Sequence, residues 1–186
     1  EWHVGYTSWV YKKGDKLDWL NYRGIVLVAQ FSTLYERLVL ERIIVWLEIV
    51  QPLNGLQATG NDMDVRHQLW LVLDTLRSES ARGRASFVPL VDLTRAFPST
   101  LRTLALSRLR RYGVRGGLLG VLWRLSCRKT SERLNVAREK YTTALLREIG
   151  LGEGRVLSPF LFVLAIDELL CELRESGLGI RIPSPG

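Results

Sequence analysis

The sequence predicts an α+β fold in one globular domain, and three observations lead there. Apolar residues fill 47% of the 186 positions against 24% charged, which is enough to build a core and too few charges for a disordered chain. Several stretches repeat apolar residues at three- and four-residue spacing, as amphipathic helices do. Between them lie short apolar runs of strand length, Phe87–Val91 and Tyr141–Leu146, the second with β-branched character.

Taken in order, residues 1–24 interleave aromatic rings with cations: Trp2, Tyr6, Trp9, Tyr11, Lys12, Lys13, Lys16, Trp19, Tyr22 and Arg23. Turn signals at Gly14-Asp15 and Leu20-Asn21 make this extended chain and loops rather than a long helix. A helix is expected from Ser32 to Gln51. Ser32 serves as its N-cap, and Leu34, Tyr35, Leu38, Val39, Ile43, Trp46, Leu47 and Val50 face inward, with Glu36, Arg37, Glu41, Arg42 and Glu48 on the other side. Pro52 and Gly55 end it. A second helix spans about Asp64 to Ser80 with Val65, Leu69, Leu73 and Leu76 inward. A third, basic helix spans Thr100 to Tyr112 with Leu101, Leu104, Leu106 and Leu109 inward, Arg102, Arg108, Arg110 and Arg111 outward, and Gly113 as its stop. A short apolar helix follows from Gly116 or Gly117 to Leu125. The last helix has Ser158 as N-cap, Pro159 at its first position and Gly177 as its stop. The chain starts at Glu1 rather than Met, and Gly179–Ile182 has the alternation of a strand beginning, so the sequence reads as cut at both ends.

Charge narrows the function classes. A formal charge of +7 and a sequence pI near 9.8 favour an acidic polymer, nucleic acid first, because a basic surface gains affinity by displacing counterions from phosphates. The longest apolar run, Leu38–Val50, is broken by Glu41, Arg42 and Glu48 and falls short of the roughly 20 residues that span a bilayer. No secretory leader is recognisable. Cys127 and Cys171, with His3 and His67, have no zinc-binding spacing, so an intracellular, reducing setting is expected. For residues 1–24 two readings stand: the rings stack on bases while the cations follow a backbone, or the rings pack on the core and the lysines are simply solvated.

Two stretches carry the chemistry. The run Phe87-Val88-Pro89-Leu90-Val91-Asp92 reads as a buried strand ending on a carboxylate, with Pro89 arguing for an edge or a bulge. Asp92 either caps a helix beginning near Ala96 or Ser99, or holds a divalent metal in front of a phosphate. The second stretch, Gly150-Leu151-Gly152-Glu153-Gly154-Arg155, lacks the third glycine and the βαβ setting of a dinucleotide fingerprint. It offers bare backbone beside a helix N-terminus, an arrangement suited to a phosphate-bearing ligand.

These residues carry a resemblance. Tyr11-Lys12-Lys13-Gly14-Asp15-Lys16 with Asn21-Tyr22-Arg23-Gly24-Ile25 resembles the opening fingers motifs of reverse transcriptases from non-LTR (LINE-type) retrotransposons. Val91-Asp92-Leu93-Thr94-Arg95-Ala96-Phe97 resembles the palm motif bearing the first catalytic aspartate, and Gly154 with Val156-Leu157-Ser158-Pro159 and Phe160-Leu161-Phe162 resembles the later glycine motif and palm helix. The resemblance implies a right-hand polymerase architecture, with fingers at 1–86, a partial palm at 87–186 and a small antiparallel palm sheet. It implies RNA-directed DNA synthesis from deoxynucleoside triphosphates on an RNA template and DNA primer, dependent on Mg2+, in the nucleus or cytoplasm. Asp92 would be the catalytic metal ligand, joined by the carbonyl of Leu93. Phe97 would lie under the sugar, Gly154 and Arg23 would line the nucleotide site, and Lys12, Lys13 and Ser158 would hold nucleic acid.

The departures from the family pattern are specific. Gly55-Leu56-Gln57 stands where Gly-Phe-Arg is usual, Glu153 where a glutamine is usual, and Pro98 where a second acidic residue often follows. The paired-aspartate motif is expected beyond residue 182, so the 186 residues alone are expected to be inactive. Two other readings remain: a noncatalytic remnant of such an enzyme that binds RNA or protein, and an unrelated basic helical interaction module.

Overall fold

The computed structural model describes residues 5–50, 65–126, 130–137, 140–142, 145–147 and 149–179. In chain order the elements are β1 (Gly5–Tyr11), a 3₁₀ turn (Trp19–Asn21), β2 (Tyr22–Leu27), α1 (Gln30–Val50), α2 (Val65–Ala81), α3 (Ala96–Ser99), α4 (Arg102–Arg111), α5 (Gly116–Ser126), β3 (Thr130–Ala137), β4 (Lys140–Tyr141), β5 (Leu145–Arg147) and α6 (Leu157–Glu175). The α+β class holds. His3, Gly55, Leu56, Gln57, Cys127 and residues 180–182 lie outside the described residues.

The strands form one five-stranded sheet in which β3 has three partners, and the sheet is mixed rather than the small antiparallel one expected, because β1 pairs parallel with β3. β2 runs antiparallel to β1 in the register Tyr11 opposite Tyr22 and Tyr6 opposite Leu27, and β3 runs parallel on the other side of β1. β4 and β5 both pair antiparallel with β3. The strand character read at Tyr141–Leu146 is therefore present in two pieces, and the extended reading of the N-terminal region becomes a hairpin.

Four helices share the core. Val39, Ile43 and Leu47 from α1, Ala105, Leu106 and Leu109 from α4, Leu122 from α5, and Leu157, Leu161 and Leu164 from α6 close on one another, with Tyr112, Val114 and Leu151 filling between them. The indole N–H of Trp46 donates to the Tyr112 carbonyl at 3.1 Å, tying α1 to the end of α4. Gly113 and Gly177 end α4 and α6 with positive φ (84° and 67°), as a left-handed C-terminal residue does.

Several expected faces turn out rotated. In α1 the buried stripe runs Ser32, Glu36, Val39, Ile43 and Leu47, while Leu34 and Leu38 are more than half exposed. Ser32 is the third residue of the helix, not its cap. The reason is Glu36, which is fully buried and accepts from Arg155 Nε at 3.0 Å and from Arg155 Nη2. Its second oxygen accepts from the Leu157 backbone N–H at 3.4 Å. That carboxylate occupies the start of α6, where free N–H groups and the helix dipole favour negative charge. Ser158 is consequently not the N-cap: Val156 stands there without a side-chain cap, and Ser158 is buried inside the first turn.

The same inversion holds in α4. Arg102 is buried and donates to the Gly150 carbonyl, and Arg108 Nε donates to Asp167 Oδ2 at 2.9 Å, whereas Leu101 and Leu104 are about half exposed. An arginine can turn inward where a carbonyl or carboxylate meets its guanidinium. In α2 the expected inward residues Val65, Leu69 and Leu73 are exposed, Leu76 is half-buried, and the buried residue is Glu79, held by Arg82 and Arg84. The run 87–91 is not a buried strand. Phe87 and Leu90 are 93% and 94% exposed, and no strand pairs with them among the described residues. Apolar, β-branched sequence becomes a strand only where a neighbour supplies hydrogen bonds and a surface.

Removing one partner of the Glu36–Arg155 pair strands the other in the interior. Glu36→Ala is expected to lower the unfolding free energy by about 3–5 kcal/mol, and Glu36→Leu combined with Arg155→Met to recover most of it; urea unfolding of the three variants reads both numbers. A second expectation concerns pH. Burial, and next the hydrogen bond to Asp167 at 2.6 Å, push the Tyr112 hydroxyl from 10 up to about 12. A raised folded value means that Tyr112 stabilises fully below pH 10 and loses this contribution as pH rises to about 12. Tyr112→Phe should flatten that part of the alkaline stability profile relative to the parent, as followed by thermal unfolding between pH 9 and about 12.

Candidate functional site

The N-terminal hairpin presents a built loop. Lys12 N–H donates to the Asn21 carbonyl at 2.9 Å, Tyr11 Oη to the Gly14 carbonyl at 2.5 Å, Asn21 Nδ2 to the Asp15 carbonyl at 2.9 Å, and Tyr22 Oη to the Lys16 carbonyl at 2.9 Å. Gly14 needs its φ of 98°, and a Cβ there would sit 2.7 Å from Asn21 Nδ2. Lys12, Lys13 and Lys16 are exposed around this loop, Lys16 lying 5.8 Å over the Tyr11 ring. Trp9, Tyr11 and Trp19 are exposed as well, Trp19 by 65%, so these rings are not spent on the core.

The glycine loop threads from this hairpin to α6. Leu151 N–H donates to the Phe97 carbonyl at 2.7 Å, and a Cβ on Gly150 would lie 2.2 Å from the Pro98 oxygen. Val26 N–H donates to the Glu153 carbonyl at 2.6 Å, and Ile25 and Glu153 form a parallel bridge. Gly154 follows with φ 98°, its absent Cβ 2.8 Å from the Val26 oxygen. The sequence thus uses glycine at 150 and 154 because other backbone passes where a side chain would be.

This arrangement brings four of the expected residues to neighbouring places. Arg23 on β2 reaches across to Glu153, Nε to Oε2 at 2.9 Å, with Gly154 beside it. Phe97 stacks on Phe162 of α6, centroids 5.1 Å apart and planes at 23°, while its carbonyl holds the glycine loop. Ser158 is buried and, with Glu36, Arg102, Ser126 and Arg155, lines a cavity of about 20 Å³, room for a water and not for a nucleotide.

Asp92 and Leu93 lie on exposed chain before α3. Asp92 does not cap that helix: Arg95 stands at the N-cap position and no side chain bonds there. Arg95 has φ 52° and ψ 48°, a left-handed conformation that costs a residue with a Cβ on the order of 1 kcal/mol or more. Its guanidinium rests 4.6 Å over the Trp19 ring, which joins the Asp92 segment to the hairpin. The left-handed turn lies three residues after Asp92 and is held by this contact with the hairpin. No three His, Cys, Asp or Glu side chains group as a metal site among the described residues.

Glu36, Arg155, Arg102 and Arg95 all shape this region although the sequence pattern assigns them no part in it. Glu36 had one legible signal, since it shares the four- and three-residue spacing of Val39 and Ile43. The others depend on partners far along the chain.

No protein-family profile matches the chain. Over 181 residues, 96% of its length, it is 28% identical to the Retrovirus-related Pol polyprotein from type-1 retrotransposable element R2 of Popillia japonica. The chain spans 25% of the length of that polyprotein. This likeness supports a protein related to non-LTR retrotransposon Pol polyproteins.

Proposed function

We propose that this chain is the fingers (1–86) and part of the palm (87–186) of a reverse transcriptase that extends a DNA primer on an RNA template with deoxynucleoside triphosphates. The observation that carries the reading is the similarity to a Pol polyprotein spread over nearly the whole chain. The site agrees with it: exposed rings and lysines on the hairpin suit an unpaired strand, and Arg23 with the Gly154 backbone suits a phosphate. Phe97, anchored on Phe162, offers a rigid platform for a sugar.

Magnesium fits this donor chemistry in kind. The Asp92 carboxylate is exposed and has no hydrogen bond or ion pair among the described residues, and the Leu93 carbonyl follows it, both hard oxygens of the type the ion takes. Its other ligands would be water, nucleotide phosphates and groups other than the described side chains. Bound there, the ion would neutralise charge on the transferring phosphoryl group. Asp92 would hold it, while Arg23 and the lysines orient phosphates.

Two measurements test this. Fluorescence anisotropy with single-stranded RNA should show binding that weakens steeply with salt, each neutralised phosphate adding roughly 0.7 to the log–log slope. Binding that is absent at low salt, or indifferent to salt, would favour a protein-interaction module instead. In a chimera that continues residues 1–186 with the downstream part of the Popillia polyprotein, Asp92→Asn should reduce primer extension by orders of magnitude while RNA affinity stays within about twofold. Extension at the parental rate would remove Asp92 from the metal site.

A further inference from the structure

We infer that Glu153 is a built-in competitor for phosphate at Arg23: the carboxylate occupies the guanidinium, and a phosphate of the ligand has to displace it. The inference rests on the nucleic-acid reading above and specifies one of its contacts. Arg23 is the β2 cation beside the glycine loop, and its side chain is 55% exposed while Glu153 Oε2 meets its Nε at 2.9 Å. The loop cannot carry the carboxylate away. Its backbone is fixed by the Val26 N–H to Glu153 carbonyl bond at 2.6 Å and by Gly154, packed against the Val26 oxygen, and the next residue, Arg155, is anchored on buried Glu36. Side-chain rotation at Glu153 or Arg23, with the loop backbone in place, is therefore the motion that parts the pair. A phosphate can win the exchange, because its paired oxygens match the guanidinium fork and an ion pair whose guanidinium is more than half exposed is weak.

The consequence is a residue that lowers affinity by design and makes Arg23 selective for ligands able to outbid a carboxylate. Glu153→Gln keeps the shape and removes the competitor, so affinity for phosphate ligands should rise about two- to fivefold, with the salt slope for single-stranded RNA steeper by roughly 0.7. The experiment titrates labelled single-stranded RNA and, separately, dATP into the parent, Glu153→Gln, Arg23→Gln, the double variant, and Glu41→Gln as a control for net charge on exposed α1. The expected result is a gain in at least one titration that exceeds the Glu41→Gln gain and vanishes in the Arg23→Gln background. A gain with RNA alone assigns the contact to a backbone phosphate, and a gain with dATP alone assigns it to the triphosphate. A gain equal to the control, or one that persists without Arg23, overturns the inference while the parent's own RNA binding keeps the nucleic-acid reading. Absence of binding by the parent and every variant at low salt overturns both.

Discussion

The interior ion pair between Glu36 and Arg155 is the constraint on which the rest of this structure depends. Glu36 is fully buried in α1, Arg155 follows the glycine loop, and the second carboxylate oxygen reaches the first turn of α6. Two charges inside a protein are tolerable only when each meets the other and the remaining hydrogen-bonding positions are filled. That demand sets the rotation of α1, brings the start of α6 against it, and fixes the end of the loop between them. The apolar contacts of Val39, Ile43 and Leu47 with α4, α5 and α6 then fill the space that this geometry leaves.

A fixed loop end has effects at the surface. With Arg155 held, residues 150–154 must pass close to Pro98 and to β2, and glycine stands where a Cβ would collide. The same passage places Glu153 against Arg23 and ties the Phe97 carbonyl to Leu151. The candidate ligand surface is in this sense the outer side of a core constraint. A second polar cluster, Asp167 with Arg108 and Tyr112, plays a similar part between α4 and α6, where the buried carboxylate is met by a guanidinium and a phenol.

Elsewhere the molecule leaves apolar sequence uncovered. Phe87, Leu90 and Val91 before Asp92, and Val65, Leu69 and Trp70 on α2, are largely exposed among the described residues. Their patterns are those of a strand and of an amphipathic helix, yet a pattern specifies only which side prefers burial. What covers that side belongs to tertiary or quaternary contacts.

The sequence by itself determined the features that are local. The α+β class, α5, the stops at Gly113 and Gly177, the turn-rich extended N-terminus and a bare glycine loop leading into a helix all follow from periodicity and from backbone preferences acting within a few residues. Tertiary structure decided the direction of the charged side chains and the fate of the apolar run. Arg102 and Arg108 turned inward, Glu36 became buried, and Ser158 lost the cap position to a carboxylate from another helix. The partners responsible lie 48, 59 and 119–121 residues away. Helical spacing assigns charge to the solvent side because an unpaired buried charge is costly, and it contains no record of a distant partner that removes the cost. The strand expected at 87–91 failed for the related reason that a strand needs hydrogen bonds from a neighbour, which no property of its own residues supplies.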